Sequence, residues 1–157
     1  MTQSARISSG RKTEGYQTQE SAAIQRQTRL AHAQERAQDY VEAIAILIDS
    51  HGEARAVELA RTLGVSHVTV VKTVQRLQRE GFVTTEPYRS ISLTPTGRRL
   101  AERARERHRT VVDFLEALGV SAEAARTDAE GIEHHVSNET LQAFRNFLCR
   151  EGLEREE

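Results

Sequence analysis

The stretch from Ala54 to Gly97 constrains the fold more than any other part of the chain. Its apolar period changes twice within about forty residues. Ala54–Leu63 reads as a short helix with Val57, Leu59, Ala60 and Leu63 inward. Gly64-Val65-Ser66 interrupts it, with Gly64 suited to a left-handed C-cap and Ser66 to an N-cap. His67–Arg79 is a second helix, with Val70, Val71, Val74 and Leu77 at core spacing, and Gly81 ends it. Phe82-Val83-Thr84-Thr85 and Ile91-Ser92-Leu93 are β-prone and flank a hairpin tip at Glu86-Pro87-Tyr88-Arg89-Ser90. Two short helices, a turn and a two-stranded hairpin make a winged helix-turn-helix.

The flanks are helical. Val41, Ile44, Ala45, Leu47 and Ile48 repeat at helical spacing and carry a helix to about Ser50, beginning near either Glu20 or Arg36. Leu30 is nearly the only large apolar residue available to anchor its early part. Residues 1 to about 18 are polar and are expected to form a disordered arm, not a signal peptide. Beyond the wing, Thr94 caps a helix with Pro95 at its first position, running to about Leu118, where Gly119 stops it. Ser121 caps a helix to about Val136. Ser137 caps a last one with Leu141, Phe144, Phe147 and Leu148 on one face. The fold class is therefore mainly α, an N-terminal winged helix-turn-helix followed by a helical domain. The expected boundaries are 1–35 for the arm, 36–96 for the winged helix and 97–157 for the rest.

Charge divides the same way. Residues 1–100 carry 14 Lys/Arg against 10 Asp/Glu, and residues 101–157 carry 8 against 13. A mildly basic front half suits nucleic acid and an acidic back half suits cations. On the second helix of the motif, Ser66, His67 and Thr69 are candidates for base edges. Lys72, Thr73 and Arg76 share its exposed face, with Lys72 and Arg76 suited to phosphates. Arg89 at the wing tip faces the backbone or the minor groove. The few phosphate contacts available to one copy imply a dimer.

The acidic half contains Asp128-Ala129-Glu130-Gly131-Ile132-Glu133-His134-His135. On a helix, Glu130, Glu133 and His134 share a face. Two carboxylates and an imidazole in so small a volume are either a solvated polar face or half of a cation site. Asp39 and Glu42, at i and i+3 on the first helix, are further potential donors, as is His108 after the wing, although a lone His of this kind is more often a surface or core residue than a ligand. Four carboxylates balance two dications, and the set contains no sulfur, which suits a hard cation such as Mn(II). His135 points to another face and is read as structural. Cys149 is the only cysteine, which excludes an intrachain disulfide and suits a cytoplasmic, reducing setting. No apolar run is long enough to span a membrane.

Asp39-Tyr40-Val41-Glu42, the Gly64–Lys72 segment, Leu93-Thr94-Pro95-Thr96-Gly97, Arg107-His108 and the Glu130–His135 run occur together in this order. The chain resembles the manganese-responsive members of the diphtheria-toxin-repressor family over about residues 36–148. The resemblance implies a homodimer that binds a palindromic operator on double-stranded DNA and represses manganese uptake genes. It implies that Asp39, Glu42, His108, Glu130, Glu133 and His134 bind two Mn(II) per subunit, with Fe(II) or other divalent cations possible in vitro. The metal would act as co-repressor by fixing the spacing of two recognition helices. His67-Val68 and Ser90 depart from the family pattern, which bears on the operator sequence. The chain is expected to lack the further C-terminal domain of longer iron-dependent members. Three alternatives compete: an iron(II)-dependent repressor of the same fold, a metal-blind winged-helix regulator, and a di-iron carboxylate enzyme. The last would need a second Glu-x-x-His copy, and no His-Glu-x-x-His motif is present either. No enzymatic activity, small-molecule substrate or membrane partner is expected.

Overall fold

The computed structural model describes residues 10–85 and 90–153. The elements in order are α1 (Gly10–His51), α2 (Ala56–Thr62), α3 (His67–Arg79), β1 (Val83–Thr85), β2 (Ile91–Leu93), α4 (Pro95–Ala117), α5 (Ala122–His135) and α6 (Asn138–Arg150). Residues up to Arg36 and residues from Ala37 onward are separate compact units.

Within the second unit, α1 contributes two faces. Tyr40, Ile44 and Leu47 join Leu59 of α2, Val70, Val74 and Leu77 of α3, and Val83 and Ile91 of the hairpin in one buried cluster. Val41 and Ala45 meet Ala101 of α4, with Phe82, Leu93 and Leu100 packed around them. A third cluster, around Val111, Ala129 and Leu141, holds α4, α5 and α6 together. The α1 helix thus lies between the winged-helix core and α4. That position brings side chains of both halves together.

The local signals in the sequence act as expected. Gly64 adopts φ 64°, and Ser66 accepts a hydrogen bond from the Thr69 amide. Thr94, Ser121 and Ser137 cap α4, α5 and α6 in the same way. The strands pair antiparallel with Val83 opposite Leu93, and Ala54 adds an isolated bridge to Ile91. The hairpin tip, residues 86–89, lies outside the described residues.

Several expectations need correction. The arm is not irregular to residue 18, because α1 already begins at Gly10; residues 1–9 lie outside the described residues. The segment is rich in Gln, Ala, Arg and Glu and free of proline, so helix propensity outweighs its lack of apolar anchors. Leu30 is no anchor, being 68% exposed. Val57 and Val71 do not point inward, and Val57 is 52% exposed. In α3, Val71 sits about 100° around the helix from Val70, off the Val70–Val74–Leu77 line. In the seven-residue α2, Leu59 is the only buried residue.

The junction from wing to α4 is the tightest point. Thr94 donates its amide to the Phe82 carbonyl at 3.0 Å and its hydroxyl to Gly81 O at 2.7 Å, while its Oγ1 accepts from Gly97 N. A Cβ on Gly97 would stand 1.9 Å from the Phe82 carbonyl oxygen. Backbone on backbone cannot yield there. Gly97→Ala is therefore expected to destabilise the chain by about 2 kcal/mol or more, seen as a lower urea midpoint. An unchanged midpoint would contradict this packing.

Candidate metal centre and nucleic-acid interface

Three helices bring the six candidate donors together. Asp39 and Glu42 lie on α1 one turn before its most apolar stretch, His108 lies mid-way along α4, and Glu130, Glu133 and His134 lie on the last turns of α5. Glu133 is the centre. It is 4% exposed and is the only buried charged side chain among the described residues. One of its oxygens lies 2.8 Å from His108 Nδ1, and the other lies 3.4 Å from His134 Nε2. His134 Nε2 also lies 3.5 Å from Asp39 Oδ1, and His108 Nδ1 lies 3.8 Å from Glu130 Oε1. Glu42 lies within the electrostatic field of Glu133, His108 and Glu130.

The electrostatics are those of a site with too much negative charge. Burial, then the Glu133 and Glu130 carboxylates, push the Glu42 carboxyl above its ordinary value, against the pull of His108 and Arg105. The hydrogen bond to Glu133 raises His108 and outweighs the opposing effect of burial. Protons are held where a cation would otherwise compensate the carboxylates. Among the described residues, no group of three or more His, Cys, Asp and Glu side chains is arranged so that it could hold a metal ion as it stands. The imidazoles and carboxylates are engaged with each other instead. As chemistry the donors fit a hard divalent cation, since all are carboxylate oxygens or imidazole nitrogens, and one carboxylate is buried between two imidazoles.

Arg107 has no role in the sequence reading beyond standing next to His108. Its guanidinium donates to the carbonyls of Glu133 and Val136 and to Asn138 Oδ1. It closes the C-terminal end of α5, the turn that carries Glu133 and His134. Arg105 meets Asp49 at 3.1 Å and makes a second tie between α1 and α4. Adjacency to His108 was the only hint of this in the sequence. His135 faces elsewhere and donates to the Gly131 carbonyl at 3.0 Å.

On α3, Ser66, His67, Thr69 and Lys72 are exposed, while Thr73 and Arg76 are half-buried. Ser66 and Thr69 hydroxyls lie 2.8 Å apart, so the first turn is internally braced. Arg76 Nε lies 3.6 Å from Glu80 Oε1. Val68 is 62% exposed beside them. Arg89 lies outside the described residues.

Comparison with known proteins bears on both sites. Residues 32–91 match the iron-dependent repressor N-terminal DNA-binding domain. Residues 94–150 match the iron-dependent repressor metal-binding and dimerisation domain. The chain is 53% identical over 131 residues to the transcriptional regulator MntR of Salmonella typhimurium strain LT2, 83% of each chain. The chain belongs to the MntR-like regulators of the iron-dependent repressor family. The HTH-type regulator MntR of Geobacillus kaustophilus is 43% identical over 100 residues, 64% of this chain and 71% of that one. A manganese-dependent transcriptional repressor in complex with manganese superposes with a TM-score of 0.66 at 28% identity. That match covers 77% of this chain and 55% of the other, so the chain spans little more than half of that repressor's length. The MntR-like family thus brings an N-terminal DNA-binding half and a metal-binding, dimerising C-terminal half. These relatives are regulators of transcription. No helix among the described residues is long and apolar enough to cross a membrane.

The raised pKa values set a sign for pH. Folded His108 keeps its proton above the ordinary value of 6.5. The stability from its contact with Glu133 is therefore complete below about pH 6.5 and lost as pH rises through the folded value. Glu42 acts in the same direction at lower pH, above its ordinary 4.5. The melting temperature of the metal-free chain in chelator should fall from pH 6 to pH 8, and His108→Gln should flatten that slope. A rise in melting temperature over this range would contradict the pairing.

Proposed function

We propose that the chain is a Mn(II)-responsive transcriptional repressor of manganese uptake genes, acting as a homodimer on palindromic operator DNA. The observation that carries this reading is the convergence of carboxylates from α1 with imidazoles and carboxylates from α4 and α5 around buried Glu133. Asp39, Glu42, His108, Glu130, Glu133 and His134 would hold the metal, with two ions per subunit to match four carboxylates. Bound there, the ions supply the positive charge that allows these carboxylates to share one space without protons.

The chain's own residues turn that charge into geometry. Asp39 and Glu42 sit on the helix whose Tyr40, Ile44 and Leu47 form the winged-helix core. Drawing them toward Glu133 fixes α1, and with it α3, against α4 and α5. Arg107 holds the Glu133–His134 turn through the Glu133 and Val136 carbonyls. In a dimer, fixing each α3 this way sets the spacing of two recognition helices to that of two half-sites. Ser66, His67 and Thr69 then address base edges, while Lys72, Thr73, Arg76 and Arg89 address the backbone. The reading divides the chain into an arm (1–35), a winged helix (36–96) and a dimerisation domain (97–157). It places the protein in the cytoplasm.

Iron(II) is the second reading, favoured by the iron-dependent description of both matched domains. Intrinsic affinity does not favour Mn(II) over later metals, so discrimination rests on geometry. The sulfur-free donor set supports manganese.

The test is binding of the purified chain to a manganese-importer promoter fragment, metal-free and then titrated with Mn(II), Fe(II) and Zn(II). Loading with Mn(II) should tighten binding by roughly 10- to 100-fold, and Glu133→Ala should return it to the metal-free level with helicity intact. Equal affinity with and without metal would leave a winged-helix regulator whose carboxylate cluster is structural.

A further inference from the structure

We propose that the stretch of α1 from residue 25 to residue 36, most of it ahead of the matched domains, is a second DNA contact that grips the phosphate backbone without reading sequence. The inference rests on the DNA-binding reading above. Between Gln25 and Arg36 no described side chain is buried, and Leu30 is the only large apolar residue. Packing therefore does not account for this segment. Its charge has a direction. Arg26, Arg29 and Arg36 are all exposed. At about 100° per residue they fall within a sector of roughly 80° on one helix face. Among the described residues, none of the three is held in an ion pair. Glu35, the single acid in this stretch, lies about 100° around from Arg36 and is engaged with His32 at 2.9 Å. The arginine face is thus left as unneutralised positive charge.

Duplex DNA complements that face. The three arginines span about 15 Å along the helix axis, a length over which one DNA strand presents roughly four phosphates. Guanidinium groups bind phosphate oxygens with two hydrogen bonds each and need no base sequence to do so. An anionic membrane suits the segment poorly, because an interfacial helix requires an apolar face that this one lacks. The segment is covalently continuous with the DNA-binding domain matched from residue 32, so any operator bound there has the arginines on the same polypeptide close by in sequence. The arginine row would add affinity to operator and non-operator DNA alike, and it would make binding more sensitive to salt.

The experiment compares the full-length, Mn(II)-loaded parent with Arg26→Gln/Arg29→Gln and Arg26→Lys/Arg29→Lys. Binding to the promoter fragment and to a scrambled duplex is measured from 50 to 200 mM salt. The Gln variant should lower the slope of log affinity against log salt by about 1.8 per bound subunit, so that it loses roughly tenfold less affinity than the parent across that range. The change should be equal on both duplexes, the Lys variant should keep the parental slope, and the ratio of metal-loaded to metal-free affinity should be unaltered. A Gln variant with the parental slope overturns this inference and leaves the metal-dependent reading intact. A parent that binds neither duplex overturns both. A loss confined to the promoter fragment also overturns it, since phosphate contacts cannot discriminate sequence.

Discussion

A carboxylate buried between two imidazoles organises this molecule. Glu133 is taken out of water on the last turns of α5, with His108 of α4 on one side and His134 of its own helix on the other. A buried carboxylate without partners is strongly unfavourable, so these neighbours are obligatory. The further carboxylates nearby, from α1 and from Glu130, make the partnership insufficient. Burial first, and then the Glu133 and Glu130 carboxylates, raise the Glu42 carboxyl, so the site favours added positive charge. A divalent cation is the natural compensator, which gives a physical basis for metal binding as the regulatory input of this family.

The effect of such a compensator depends on where α1 lies. One face of α1 belongs to the winged-helix core and another packs on α4 through Val41, Ala45 and Ala101. Asp39 and Glu42 emerge between these commitments. On the proposed reading, a pull on them would move the whole helix, and α3 with it, because Ile44, Leu47, Val70 and Val74 are one close-packed cluster. Packed cores move as units, so small displacements at the carboxylates would change the attitude of the helix proposed to read DNA. Arg107 ties the end of α5 to α4 through the Glu133 and Val136 carbonyls.

Much of the fold is legible because its punctuation is local. Gly64 with Ser66, Thr94 with Pro95, Ser121 and Ser137 each act within four residues, through positive φ or through a hydroxyl capping a helix. Errors fell where local signals are silent. Val57 and Val71 are apolar yet exposed, since neighbouring elements decide which of several apolar residues face the core. The start of α1 has no apolar pattern to mark it, because the stretch before Arg36 is helical without amphipathic periodicity. Arg107 leaves no trace in the sequence pattern because two of its partners are backbone carbonyls 26 and 29 residues away and the third, Asn138, is 31 residues away.

By itself the sequence determined the order of elements, the winged helix-turn-helix and a carboxylate–imidazole run whose spacing puts Glu130, Glu133 and His134 on one face. Those follow from periodicity and capping, which are short-range. Only the tertiary structure decided that Glu133 is the buried centre, that Asp39 approaches His134 from another helix, and that His108, a lone histidine on α4, completes the group. Burial and convergence arise from packing among α1, α4 and α5. That packing depends on the apolar faces of three helices at once, and no window of sequence contains them all.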